Sequence, residues 1–156
     1  MALKVRDVMS ANVCLVGPDD TIQRAAMCMG QYDAGIMPVS ENDRLVGMIT
    51  DRDIAVRAVA QGRGPDTKVR EVMTAEVKYC YDDEDVSHVS DNMAELQVHR
   101  LPVVNREKRL VGIVSIGDIA RRQAPDKTGE ALRGISQPGG QHSQTASESR
   151  QPVGAA

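Results

Sequence analysis

Apolar and polar positions along the chain switch between two periods, and the whole switch happens twice. "NVCLVG" (12–17) is a short apolar run that predicts a strand. "PDDTIQRAAMCMG" follows, opening on Pro, Asp and Thr and placing Ile22, Ala25, Ala26 and Met29 at i, i+3, i+4 and i+7. That spacing predicts a capped amphipathic helix over about 19–31 with one buried face. "AGIMPVS" and "LVGMIT" are apolar runs of strand length, joined by the polar turn "ENDR" and so expected to be neighbours. A second helix is predicted from Asp53 to about Gln61, where "GRGP" stops it.

The same order then returns. "VRDVMSANV" from Val5 matches "VREVMTAEV" from Val69, and "MPVSENDRLVGMIT" from Met37 matches "LPVVNREKRLVGIVS" from Leu101. "DIAVR" from Asp53 matches "DIARR" from Asp118. The offset is 64 residues and becomes 65 after one insertion in the "REKR" turn, where a duplicated fold absorbs it most easily. Val86, Val89 and Met93 repeat the buried helix face behind the acidic start "DDED", which suits the positive end of a helix dipole.

Each repeat therefore reads β-α-β-β-α, preceded by a short helical turn at "VRDVM" or "VREVM", and the class is α+β. Repeats over 1–64 and 65–125 are each marginal alone, because a unit of about 60 residues buries too little of its surface. Two copies packed sheet against sheet in pseudo-twofold symmetry solve this and create two equivalent clefts. From 126 to 156 the chain turns to Gly, Ser, Gln and Pro without sustained periodicity, which predicts a disordered tail with a transient helical turn near "GEALRG".

Composition narrows the picture. Hydrophobic residues are 41% of the chain, yet Phe and Trp are absent, so the core must be aliphatic with methionine. A net charge of -3, with no cluster of Lys/Arg among stacking aromatics, argues against nucleic acid and anionic membrane as partners. No apolar run approaches the roughly 18 residues of a spanning helix, and "MALKVRDVMS" lacks a signal-peptide core, so a cytoplasmic protein is expected. The three cysteines, Cys14, Cys28 and Cys80, form no CxxC pair and have no His at a ligand offset. They read as small hydrophobes in a reducing compartment, with a redox switch as the minor alternative.

The candidate chemistry lies in a duplicated hydroxyl-x-x-Asp. Thr50 and Ser115 fall at strand ends, with Asp53 and Asp118 at the following helix starts. A carboxylate offers two acceptor oxygens to the paired hydroxyls of a ribose, and a hydroxyl beside free N–H groups suits a phosphate. Asp near a helix start is also among the commonest caps, and duplication of a fold duplicates its caps. Both readings stand on spacing alone.

In the paired "VxxVM" openings, the "PDDT" helix start, "MPV" and "LPV", and "LVGMITDRDI" and "LVGIVSIGDI", the chain from Val5 to Arg122 resembles the tandem cystathionine-β-synthase (CBS) domain pair. The resemblance implies a sensor of adenosyl ligands, AMP, ADP, ATP, NAD or S-adenosylmethionine, with no cofactor required, that signals by conformational change to a partner protein and forms homodimers through the helices near 19–31 and 53–61. It implies that Asp53 and Asp118 hold ribose, that Thr50 and Ser115 approach phosphate or ribose, and that Ile36, Pro38, Arg100 and Pro102 line adenine pockets with Val13 and Val77 at the mouth. His99 and Arg100 match a pair that reaches phosphates. Gly35 and Ile36 replace that pair in repeat one, and Asp51-Arg52 becomes Ile116-Gly117 in repeat two, so the clefts are not chemically equal.

No GxSxG, P-loop, HExxH or GxGxxG occurs, and "GRGPD" reads as a linker, so an enzyme is not expected. The competing function is a ligand-free dimerisation or interaction module.

Overall fold

The helix-strand-strand-helix order is realised in both repeats of the computed structural model, which describes residues 2–138. Helix α1 (Val5–Val8) is followed by α2 (Ile22–Tyr32), which starts behind Thr21, whose hydroxyl accepts from the Arg24 N–H at 3.2 Å. Helix α2 buries Ile22, Ala25 and Met29, whereas Ala26, assigned to the same face by spacing, is exposed. Ala26 sits at the edge of the stripe the other three define, and the stripe is narrower than the i+4 rule allows.

Strands β1 (Ile36–Glu41) and β2 (Arg44–Thr50) pair antiparallel, turning at Asn42 and Asp43, both at positive φ (53° and 63°). Such turns match the twist of the strands they join. Helix α3 (Asp51–Asp53) runs on as a π-helical stretch (Ile54–Ala58) and a 3-10 turn (Val59–Gln61), closed by Gly62 at φ 74°. In repeat two, β3 (Cys80–Tyr81) lies parallel to β4 (Arg100–Val104), which pairs antiparallel with β5 (Leu110–Ser115). Helices α4 (Val86–Leu96) and α5 (Ile116–Ala120) complete it, and α4 buries Val86, Val89 and Met93 as the periodicity requires.

The strand expected over 12–17 shrinks to one parallel bridge between Val16 and Val39. Pro18 follows at once and has no N–H to continue a ladder, while the residues before Val16 turn towards a cleft instead.

The opening segments cross over. Val5 is fully buried with Val86, Val89, Met93 and Leu101 in the core of repeat two, and Val69 and Val72 are buried with Ile22, Ala25 and Val39 in the core of repeat one. Matching backbone bonds hold each exchange: Val5 N–H donates to Glu84 O (3.0 Å) and Arg6 N–H to Asp82 O (3.0 Å), while Val69 N–H donates to Asp20 O (2.8 Å) and Arg70 N–H to Pro18 O (2.9 Å). Each crossing then bridges a strand of the other repeat, Ser10 with Ile113 and Thr74 with Met48. The two units of sequence are therefore not the two units of packing.

The expectation of a structureless chain from 126 is corrected over its first part. Helix α6 (Pro125–Ile135) opens with Pro at its first position and buries Thr128, Ala131 and Ile135 against α4 and α5. Gly134 meets Ala94 so closely that a Cβ on the glycine would stand 2.7 Å from the alanine's Cβ. Gln97 donates from its side-chain amide to the carbonyls of Gly134 (3.4 Å) and Gln137 (3.2 Å), satisfying the end of α6. The remainder of that expected tail, 139–156, lies outside the described residues.

Candidate functional site

Strand β5 ends at Ser115 and α5 begins at the next residue, so the hydroxyl is the N-cap. Ser115 Oγ accepts from the Asp118 N–H (3.0 Å), and Asp118 Oδ2 accepts from the Ser115 N–H (2.9 Å). Thr50 and Asp53 make the same reciprocal pair, at 2.9 Å in both directions. Both motifs are capping boxes with Asp at the third helical position, so each Asp supports the cap from inside the first turn rather than standing at the cap itself.

Capping uses one oxygen of each carboxylate. Oδ1 of Asp118 accepts from the Arg121 guanidinium at 2.6 Å, and Oδ1 of Asp53 lies 3.7 Å from Arg57 Nε. A carboxylate oxygen has two lone pairs, so neither contact uses up the acceptor capacity. The Asp118 side chain is 12% exposed and that of Asp53 10%, which fixes both in orientation.

A cleft of about 240 Å³, just below the roughly 300–1,000 Å³ of small-molecule pockets, opens on the Ser115–Asp118 box. Repeat two supplies Arg100, Ile113, Ser115 and Asp118, and β1 of repeat one supplies the apolar wall of Ile36, Met37 and Pro38. The crossing segment forms the roof through Ser10, Asn12, Val13 and Cys14, and the end of α2 closes one side through Tyr32, Asp33 and Ala34. Six of the residues expected from sequence, Val13, Ile36, Pro38, Arg100, Ser115 and Asp118, thus meet in one place. An apolar slot faces an exposed cation, a hydroxyl and a fixed carboxylate.

The others are placed elsewhere. Val77 lines a second cleft of about 180 Å³ beside Tyr79, Lys108 and Arg44. Thr50, Asp53, His99 and Pro102 line neither cleft. His99 is exposed and its carbonyl accepts from the Ile116 N–H at 2.8 Å, whereas Pro102 is buried within β4. Gly35, the counterpart of His99, has no room for a side chain, because a Cβ there would stand 2.8 Å from Asp51 Oδ2.

Sequence reasoning missed Ser10, Asn12, Cys14, Tyr32 and Asp33. Most sit on connecting chain, where periodicity is silent; the one available signal was Asp33, the residue after α2, which takes the left-handed conformation (φ 50°) that ends a helix. Burial and then a hydrogen bond with Cys28 push the Cys14 thiol up to about 11, and burial pushes Cys80 up to about 12. Among the described residues no three His, Cys, Asp or Glu side chains gather to hold a metal ion, and no helix is long and apolar enough to cross a membrane.

Comparison with known proteins matches this arrangement. The family model for the CBS domain matches residues 5–59 and again 69–124. The CBS domain-containing protein YhcV of Bacillus subtilis is 44% identical over 133 residues, covering 85% of this chain and 94% of its own. Hypoxic Response Protein I, solved with two coordinated zinc ions, superposes with a TM-score of 0.71 at 38% identity, covering 78% of this chain and all (100%) of that one. The CBS domain pair of protein MJ0100, solved in complex with 5'-methylthioadenosine and S-adenosyl-L-methionine, superposes with a TM-score of 0.68 at 32% identity, covering 78% of this chain and 95% of that one. With two matched repeats, a shared fold and relatives that it covers nearly end to end, the chain belongs to the CBS domain family and carries two such domains in tandem.

Proposed function

We propose that this CBS pair is a regulatory sensor that binds one adenosyl ligand, of the AMP, ATP, NAD or S-adenosylmethionine class, in the cleft beside Asp118, and that a partner protein in the cytoplasm reads the resulting conformation. The observation that carries the reading is the convergence of Ile36 and Pro38 of one repeat with Arg100, Ser115 and Asp118 of the other around one cavity. The apolar slot suits a purine face, Asp118 a ribose diol, and Arg100 with Ser115 an anionic substituent. The complex of MJ0100 with 5'-methylthioadenosine and S-adenosyl-L-methionine supports the adenosyl class.

Signalling follows from where the ligand sits. The roof of the cleft, Ser10 to Cys14, continues the segment whose Val5 is buried in the core of repeat two. A ligand that moves this roof shifts two cores at once, and the shift is limited to its differential affinity for the two arrangements.

Thr50 and Asp53 form the same box without a described cleft, so one ligand per chain is expected. Isothermal titration with AMP, ATP, NAD and S-adenosylmethionine tests the reading. Saturable binding of at least one at one site per chain is expected. No heat with any of the four overturns it and leaves the interaction module.

A further inference from the structure

Helix α6 reveals what kind of surface a CBS repeat presents on its helical side. It lies across α4 and α5, touching the face of α4 that carries Ala94 and Gln97. Ser90, one turn before Ala94 on that face, is only 1% exposed. The repeat offset puts Ala26, Gly30 and Asp33 of α2 at the positions of Ser90, Ala94 and Gln97. There the same face is bare. Ala26 is exposed, and a Cβ added to Gly30 would meet nothing within 4 Å. Around it stand Met27 (69% exposed), Val56 (46%) and Val59 (68%), the last two on the helical run after Asp53.

The chain has no helix of its own to lay there among the described residues, because the segment after Gln61 is the loop that leads to Val69 and α6 is already engaged on repeat two. The centre of the bare face, Ala26, Met27, Gly30, Val56 and Val59, carries no charge. An isologous contact sets a patch against its own copy, so a central charge would meet its like, and this patch meets no such conflict.

We infer that the α2/α3 face of repeat one is a homotypic interface, while α6 closes the equivalent face of repeat two against a second copy, so that the chain dimerises through repeat one alone. The small residues Ala26 and Gly30 let the backbones of two α2 helices approach closely, and Met27 and Val59 supply the apolar area that each copy covers on the other. Helix α6 thereby sets the stoichiometry: it leaves one sticky face per chain where the duplication would have made two.

Light scattering over a dilution series, on the full chain and its variants, tests this. The parent is expected at twice the chain mass. Val59→Glu and Met27→Glu, both at exposed positions that leave the monomer core intact, are each expected to weaken the dimer by at least about 30-fold, and the double variant to run at single-chain mass with an unchanged circular dichroism spectrum. Leu132→Glu, on the exposed outer side of α6, is expected to leave the dimer untouched. A parent that is monomeric throughout the series overturns the inference. So does a dimer that dissociates with Leu132→Glu and not with Val59→Glu. A two-chain mass that persists in the double variant points instead to exchange of α6 between copies and overturns it as well.

Discussion

Gly112 lies so close beneath Ser10 that a Cβ on the glycine would stand 2.6 Å from the serine's carbonyl oxygen, and Gly47 stands in the same relation to Thr74, at 2.8 Å. Each glycine is where the opening segment of one repeat crosses a strand of the other. The central glycine of "LVGMIT" and "LVGIVS" is thus a crossing point, which explains why both runs carry it.

Gly112→Ala is therefore expected to lower stability by about 1–3 kcal/mol, the scale of overpacking against atoms that cannot yield, because the obstacle is backbone. Gly129→Ala, in the middle of α6 with nothing within 4 Å of the new Cβ, is expected to raise it by about 0.5–1 kcal/mol. Urea denaturation of the two variants beside the parent shows whether the signs differ as stated.

The capping box and the ligand role of Asp118 separate by substitution. Ser115→Ala removes the cap acceptor and is expected to cost about 1 kcal/mol of stability. Asp118→Asn keeps an oxygen for the Ser115 N–H but loses the charge, so its melting temperature stays near the parent's while adenosyl affinity falls about 10- to 150-fold, the equivalent of about 1.5–3 kcal/mol. Calorimetry beside thermal melts checks both, and Asp53→Asn, away from the cleft, serves as the comparison.

Helix α6 is expected to be part of the folded unit. Ile135, 6% exposed against the core of repeat two, should cost about 2–5 kcal/mol on replacement by alanine. A chemical denaturation midpoint unchanged in Ile135→Ala would mean that α6 does not dock.

Cysteine reactivity has a defined pH dependence. Raising a thiol to about 11, as at Cys14, depletes the thiolate below that pH, so alkylation at pH 8 is expected to be about 100-fold slower than at an unperturbed cysteine and to rise roughly tenfold per pH unit. Cys80, at about 12, should be slower still. Because Cys14 lines the cleft, an adenosyl ligand should slow Cys14 further and leave Cys80 alone, as peptide mapping after timed alkylation will show.

The repeat, its element order and six of the cleft residues were legible in sequence because each has a periodic or positional signature. Val86, Val89 and Met93 announced a buried face by spacing, and Ser115–Asp118 announced a helix start. Burial patterns do not say in whose core a side chain is buried, so the exchange of Val5 and Val69 was invisible. Helix α6 was hidden by composition: Thr128, Ala131 and Ile135 do fall at i, i+3 and i+7 behind Pro125, but glycines and charges dilute the pattern. The polar wall from Ser10, Asn12 and Asp33 comes from chain between elements, whose positions only the crossing determines.

The exchange of Val5 and Val69 also constrains the order in which the chain can fold. During synthesis the first repeat cannot close its core when residue 62 emerges, because Val69 and Val72 have yet to be made, and Val5 must wait for the strand and helix that begin at Cys80 and Val86. Contacts between residues so far apart in sequence make folding slow, since the loop must be closed before they form. Neither half has an independent native state to reach first, and expression of either repeat by itself should yield a chain without a cooperative melting transition.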